Sequence, residues 1–403
     1  MNKQEFCTDL NIKHEIVSNK KRSILMFSWE YPPNVIGGLS RHVYGLSVHL
    51  AKLGHEVHIV TAGQKDLPTF EVENGVNVHR VTPINGQDEN FLAWIGGLNQ
   101  AMAFKAECLA LEMKFDLIHA HDWLVGTAAI VIKDMLGIPL LTTIHATEYG
   151  RNNGIYNEIQ RFIHEKEQQL IQRSDQLIVC SEYMKDSLFT IFKEKIKNIS
   201  VIPNGVDHPA DLLKVCDVFP KIAQRKYIFS IGRMVREKGF ETIISAAEIA
   251  KEKGLDYYFV IAGKGPMLDH YRHQIAAKKL DAYVDFIGYI TDDERNALLK
   301  ECELVVIPSL YEPFGIVVLE GMILGKPTIV SKTGGLKKIV EHLHTGLLMV
   351  PGDPNSLLEQ IEFLMNNPDQ AKEIGRCGKE MAQDKYGWNR IAFETAKIME
   401  DMI

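Results

Sequence analysis

What the chain lacks narrows it first. Its 403 residues include six cysteines (Cys7, Cys108, Cys180, Cys216, Cys302 and Cys377) and no Cys-x-x-Cys pair. A disulfide frame or a cysteine zinc site is therefore not expected. Scattered thiols in a chain of this size read as reduced and cytoplasmic, with Cys180 and Cys302 as packing residues. No apolar run approaches the ~18 residues of a membrane span, and the polar stretch 1–22 has no signal-peptide core. Basic excess is missing too. Lys+Arg 45 against Asp+Glu 52 gives a formal net charge of −7, which argues against a wholesale nucleic-acid footprint and leaves room for a local basic patch at a membrane. The dinucleotide fingerprint Gly-x-Gly-x-x-Gly is also absent: the near match Gly263-Lys264-Gly265-Pro266-Met267-Leu268 lacks its third glycine.

What is present is an ordinary globular balance, 46% hydrophobic and 24% charged, in a chain too long for one core. Buried-strand runs at 23–27, 57–60, 117–119, 140–144 and 177–180 alternate with helical patterns such as Leu39, Val43, Leu46, Leu50 and Leu53, stopped by Gly54. After a poorly periodic stretch, strands restart at 227–232, 258–263, 284–288, 304–307 and 328–330. This is the βα alternation of a doubly wound parallel sheet, twice over. The expected division is an extension 1–22, a first domain 23–207, a hinge 208–226, a second domain 227–384 and a last helix within 385–403. Trp388, Ile391, Thr395, Ile398 and Met402 share one face of that helix.

Charged and glycine-rich motifs sit where strands end, the edge at which open α/β sheets bind ligands. Glu312 and Glu320 follow one strand and enter an apolar helix; with every step helical they would lie ~12 Å apart along its axis. That span suits a diphosphate-linked sugar and ribose. A carboxylate among Val317, Val318, Leu319, Met322 and Ile323 needs a partner, and ribose hydroxyls would supply one. Phe314, Gly315 and Ile316 offer backbone amides at the helix start. Gly37-Gly38 precede a helix and can meet a phosphate with no Cβ in the way, or simply make a tight turn. Arg233 and Lys238, five apart at a strand end, offer a planar fork and a point charge to a diphosphate. The runs from Thr142 to Arg151 and from His119 to Trp123 leave first-domain strands toward the same cleft. Asp122 reads best as a helix N-cap. His119 and His121 are expected on opposite strand faces, and no metal site is expected. Thr291-Asp292-Asp293-Glu294 reads as a capped first helical turn rather than a metal-binding acidic pair.

The Glu-x7-Glu run enclosing Pro313-Phe314-Gly315, the Arg-x4-Lys pair, the Gly-Gly loops at 37–38 and 334–335, and His145-Ala146-Thr147-Glu148 with Gly150-Arg151 resemble retaining glycosyltransferases of family 4, in the glycogen-synthase-like branch. The resemblance implies a GT-B fold: two Rossmann-like domains facing across a cleft, with the C-terminal helix crossing back to the first. It implies transfer of a hexose, glucose foremost, from a nucleotide-diphosphate sugar to a hydroxyl of a glucan or other glycoconjugate, with no cofactor. On that pattern Arg233 and Lys238 grip the diphosphate, Glu312 and His145 hold the sugar, and Glu320 holds the ribose. Gly37, Gly38, Gly288, Tyr289, Phe314, Gly315, Ile316, Gly334 and Gly335 complete the donor site. Val35-Ile36 stand where ADP-glucose-dependent glycogen synthases carry Lys-Thr, and Lys338 stands where the family usually has Glu. The first departure sets the chain apart from a strict glycogen synthase; Lys338 bears on local electrostatics or acceptor preference. The alternatives are an epimerase or phosphorylase of the same fold, or a non-catalytic sugar-nucleotide binder. Keeping Arg233, Lys238, Glu312 and Glu320 together argues against the last.

Overall fold

The computed structural model describes residues 20–35, 37–86, 90–209 and 212–403. Most of the 1–22 extension, with Cys7, and the departure at Ile36 therefore lie outside the described residues. The first sheet comprises β1 (Ser23–Phe27), β2 (Glu56–Ala62), β3 (Phe70–Glu73), β4 (Val76–Val81), β5 (Leu117–His121), β6 (Leu140–Ile144), β7 (Gln176–Val179) and β8 (Ile199–Val201). The second comprises β9 (Ile228–Ile231), β10 (Phe259–Ala262), β11 (Val284–Gly288), β12 (Leu304–Ile307), β13 (Thr328–Ser331) and β14 (Leu347–Met349). Their orders are β3-β4-β2-β1-β5-β6-β7-β8 and β11-β10-β9-β12-β13-β14.

Every pairing is parallel except the edge hairpin β3–β4. Parallel strands are covered on both faces, which is why the continuous apolar runs mark them. Ile24 pairs with Val57 and Leu117, and Phe229 with Val260 and Val305. The strands missed by periodicity are those with weak apolar signal. β3 and β8 contain no buried residue, β4 is interrupted by Asn77, His79 and Arg80, and β14 is three residues long. In each half the strand order reverses beside the half's first strand, and such switch points open a crevice at the carboxyl ends.

The chain passes between halves twice, and the passages are bonded together: Val206 N donates to Tyr386 O at 2.7 Å. Beyond the first passage, Val215 N donates to Glu301 Oε1 at 2.9 Å, so the chain is already anchored to the second half at Val215. The last helix, Trp388–Asp401, lies on the first, Gly38–Lys52. Ile391, Ala392, Ala396 and Met399 are buried there with Val43, Leu46 and Leu50. The Trp388 indole occupies the space that a Cβ on either Gly45 or Gly205 would need. No helix among the described residues is long and apolar enough to cross a membrane.

Candidate active site

Loops leaving β1, β5 and β6 face loops leaving β9, β10, β11 and β12 across a cavity of ≈ 520 Å³. Gly37, Gly38, His145, Arg233, Lys238, Tyr289, Glu312, Phe314, Gly315 and Ile316 all line it. Gly288, Glu320, Gly334 and Gly335 do not; they lie behind its wall.

Two helix starts meet at this cavity. Gly37 N-caps the first helix and its N–H donates to Glu30 Oε2 at 3.2 Å. Opposite it, Gly315 at φ +115° turns the chain into the helix Ile316–Ile323. A Cβ on Gly38 would sit 3.0 Å from Ile316 Cδ1, so the two positive dipole ends abut. Glu312 precedes this helix and Glu320 lies within it, so the eight steps are not one continuous helix. Gly334 and Gly335 pack on the backbone of Glu312, Pro313 and Phe314, where any Cβ would overlap, and Gly335 N donates to Glu312 O at 2.9 Å. Their contribution here is to brace the Glu312 loop. Gly288 O likewise accepts from Gly263 N at 2.7 Å, joining two loop ends.

Cations gather against these helix starts. Lys238, at the end of a short turn Arg236–Lys238, donates from Nζ to Glu312 Oε2 at 2.6 Å, which also accepts from Ser309 Oγ at 3.1 Å. Arg233 Nη2 bonds Glu237 Oε1 at 3.0 Å. Burial, and then the Arg151 guanidinium, hold Arg233 below its ordinary pKa. Arg41, Arg151, Arg233, Lys238 and Lys264 line the cavity with Glu30, Asp122, Glu148, Glu237 and Glu312, and the two helix N-termini tip this balance toward an anionic ligand. The Lys264 ammonium lies 4.8 Å from the exposed Tyr289 ring at the rim.

Behind the cavity, Glu320 is only 8% exposed. Its Oε1 faces Arg41 Nη1 at 3.4 Å and Arg295 Nη1 at 3.5 Å. Asp292 Oδ1 accepts from the same two arginines, at 2.9 Å and 2.6 Å. Arg41 belongs to the first helix, so these bonds tie the halves together, as does Ser181 Oγ donating to Pro313 O at 2.7 Å. Among the described residues, Glu320 Oε2 is buried without a hydrogen bond. The capped turn expected at 291–294 is present as a full capping box, and Asp292 has this second use across the cleft. Neither Arg41 nor Arg295 carries a sequence signal beyond being charged within a helix.

Two expectations at these strand ends need correction. His119 and His121 share one strand face, with ring centroids 4.2 Å apart, because side chains alternate with a period of two. His121 thereby reaches His145, Nδ1 to Nε2 at 3.2 Å, and His42 stacks edge-on against both. Asp122 is not a capping side chain. At φ +61° it precedes the turn Trp123–Val125 without capping it, and its Oδ1 accepts from His145 N at 2.7 Å. Burial pushes its carboxyl up to about 6. Asp122 therefore positions the loop that carries His145.

Residues 36–209 match the family model for glycosyltransferase family 4, and residues 217–381 match that for glycosyl transferases group 1. An uncharacterised glycosyltransferase of Methanocaldococcus jannaschii is 35% identical over 384 residues, covering 93% of this chain and 97% of that one. The glycogen synthase of Mycobacterium tuberculosis is 32% identical over 394 residues, covering 93% and 94%. Among solved structures, a sucrose-phosphate synthase from Thermosynechococcus elongatus superposes with TM-score 0.81 at 24% identity, covering 94% of this chain and 99% of that one. Anabaena HepE, solved with UDP-glucose, superposes with TM-score 0.74 at 19% identity, covering 94% and 100%. With that likeness spanning both sheets and the cleft between them, the chain belongs to glycosyltransferase family 4, in its glycogen-synthase-like branch, and folds as a GT-B enzyme.

Proposed function

We propose that the protein transfers a hexose, glucose foremost, from a nucleotide-diphosphate sugar to an acceptor hydroxyl on a glucan or other glycoconjugate, with retention at the anomeric carbon. The observation that carries this reading is the convergence of Arg233, Lys238 and the Glu312 loop with the Gly37-Gly38 helix start in one cavity. The diphosphate lies against the two helix N-termini, Arg233 and Lys238, whose charge stabilises what builds up on the leaving oxygen. Glu312, now bonded to Lys238, holds sugar hydroxyls, and His145 meets the sugar from the other half. Glu320 Oε2 lacks a donor among the described residues, and a ribose hydroxyl would supply one once the side chain turns toward the cavity, which it does not line here.

The C1–O bond to the diphosphate breaks through an oxocarbenium-like state. The acceptor oxygen bonds C1 on the same face, and its proton passes to the departing diphosphate oxygen. No cofactor takes part in this scheme. The Arg41 and Ser181 bonds join the halves across the cleft, and contacts of this kind support the closure that such a reaction needs.

The test is a thermal-shift screen against UDP-, ADP-, GDP- and dTDP-sugars with their bare nucleotides. Ligand at a hundredfold excess over its Kd adds ~2.7 kcal/mol of stability. A rise with one nucleotide, lost in Glu320→Ala, names the donor, and NMR of the product anomer then reads the stereochemistry. No rise across the whole panel would overturn the reading.

A further inference from the structure

His42, His121 and His145 come from the first helix, the end of β5 and the loop after β6. One ring nitrogen of each lies within 4.8 Å of the others. Ligands ~2.0–2.1 Å from a tetrahedral ion are spaced ~3.3–3.4 Å from one another. The His121 Nδ1 to His145 Nε2 separation of 3.2 Å is thus already one edge of such a tetrahedron. The third corner needs His42 to close by at most about 1.4 Å.

Metal binds the neutral imidazole, whose unprotonated ring nitrogen supplies the lone pair. Among the described residues, both His42 ring nitrogens and His121 Nε2 are buried without a hydrogen bond. The Asn204 side chain is the polar group facing His42, and its Oδ1 has no hydrogen bond among the described residues either. A neutral imidazole carries one N–H and one lone pair, so at His42 both a donor and an acceptor are left unmet, which is costly. A cation would take the unmet His42 lone pair and replace the proton between His121 Nδ1 and His145 Nε2. The set has no thiolate, and its imidazoles suit zinc, copper, nickel or cobalt over magnesium or calcium. Trp388, 5.6 Å from His42 ring to ring, backs the cluster, while His145 opens to the cavity and gives the ion its way in.

We propose that His42, His121 and His145 form a three-imidazole site for a divalent transition ion of the zinc class, and that this ion and the donor sugar compete for His145. The competition rests on the proposed contact of His145 with the sugar; the site itself does not.

Chelator-treated full-length protein is titrated with Co2+ as a spectroscopic probe and with Zn2+ by calorimetry. The expected result is one equivalent bound, with a visible Co2+ band that Zn2+ bleaches. Affinity falls by ~100-fold or more in His42→Gln and in His121→Asn, beyond the loss of a mere supporting contact. Two variants are used so that misfolding of one, read from its metal-free thermal midpoint, leaves the other to decide. No binding at millimolar metal, or unchanged affinity in a folded variant, overturns the site and leaves histidines that solvate water. For the competition, zinc should inhibit transfer with an inhibition constant matching its Kd, and the rate remaining in His42→Gln should resist zinc. Zinc bound without loss of turnover overturns it. If no donor is turned over by metal-free protein, the transferase reading fails while the Co2+ titration still decides the site.

Discussion

Glu167 offers a stability test that can be worked through. It projects from the helix Glu158–Arg173 and is 2% exposed. Its Oε1 accepts from Glu148 N at 2.7 Å, pinning the short helix that follows His145. Burial pushes its carboxyl up to about 8 from the ordinary 4.5, against the opposing pull of that N–H and of Arg151. Between those two values the unfolded chain has released its proton and the fold has kept it, so stability falls as pH rises. The contribution is fully present below 4.5 and gone above 8. At ~1.4 kcal/mol per pH unit, the loss reaches ~5 kcal/mol by pH 8. Glu167→Gln keeps an oxygen for Glu148 N and is neutral throughout. Denaturant unfolding should find the two proteins alike near pH 5, with the variant ahead by ~3–5 kcal/mol near pH 8.5. A difference that does not change with pH would refute a neutral Glu167. So would a variant that loses ground as pH rises, since that would mean Arg151 holds the ionised carboxylate.

Lys238→Ala should lower turnover by ~10²–10³-fold while leaving the thermal midpoint within a few degrees; comparable midpoints with unchanged turnover would remove Lys238 from the chemistry. Glu320→Ala leaves Arg41 and Arg295 sharing Asp292 alone, and should cost roughly 1–3 kcal/mol along with donor affinity, read by unfolding and by the donor KM. Gly45→Ala drives a methyl into the Trp388 indole and should cost ~1–3 kcal/mol, with a changed tryptophan fluorescence; a neutral effect would mean the last helix is not seated as described.

The parts of the site that are legible in the sequence are local. Glycines before a helix, two cations after a strand and the Glu312 loop each carry their meaning within a dozen residues, because strand ends and helix starts are themselves local patterns. Five strands of each half were readable for the same reason: parallel strands are apolar throughout. Contacts across the cleft leave no such trace. Arg41 and Glu320 lie 279 positions apart and meet only after both halves have folded. The sequence suggested that Glu320 needed a donor, and it could not say that two arginines stand there first. The histidine cluster draws on three segments whose spacing carries no signal. His119 and His121 did carry one, since residues two apart on a strand share a face, and that period was misapplied.

The seating of Trp388 between Gly45 and Gly205 has a consequence for how the protein is made. A ribosome has emitted every strand of the first sheet, and the whole second half, before the helix that closes the first core emerges. Through that interval the first core, in which Val43, Leu46 and Leu50 pack with strand residues such as Ile24, Val57 and Ile59, lacks the face made by Ile391, Ala392, Ala396 and Met399, so its last apolar surface is covered only when that helix emerges. The halves are for the same reason poor modules for exchange: a transplanted second half brings a foreign tail, and it must fit the glycine notch of a first half that did not evolve with it.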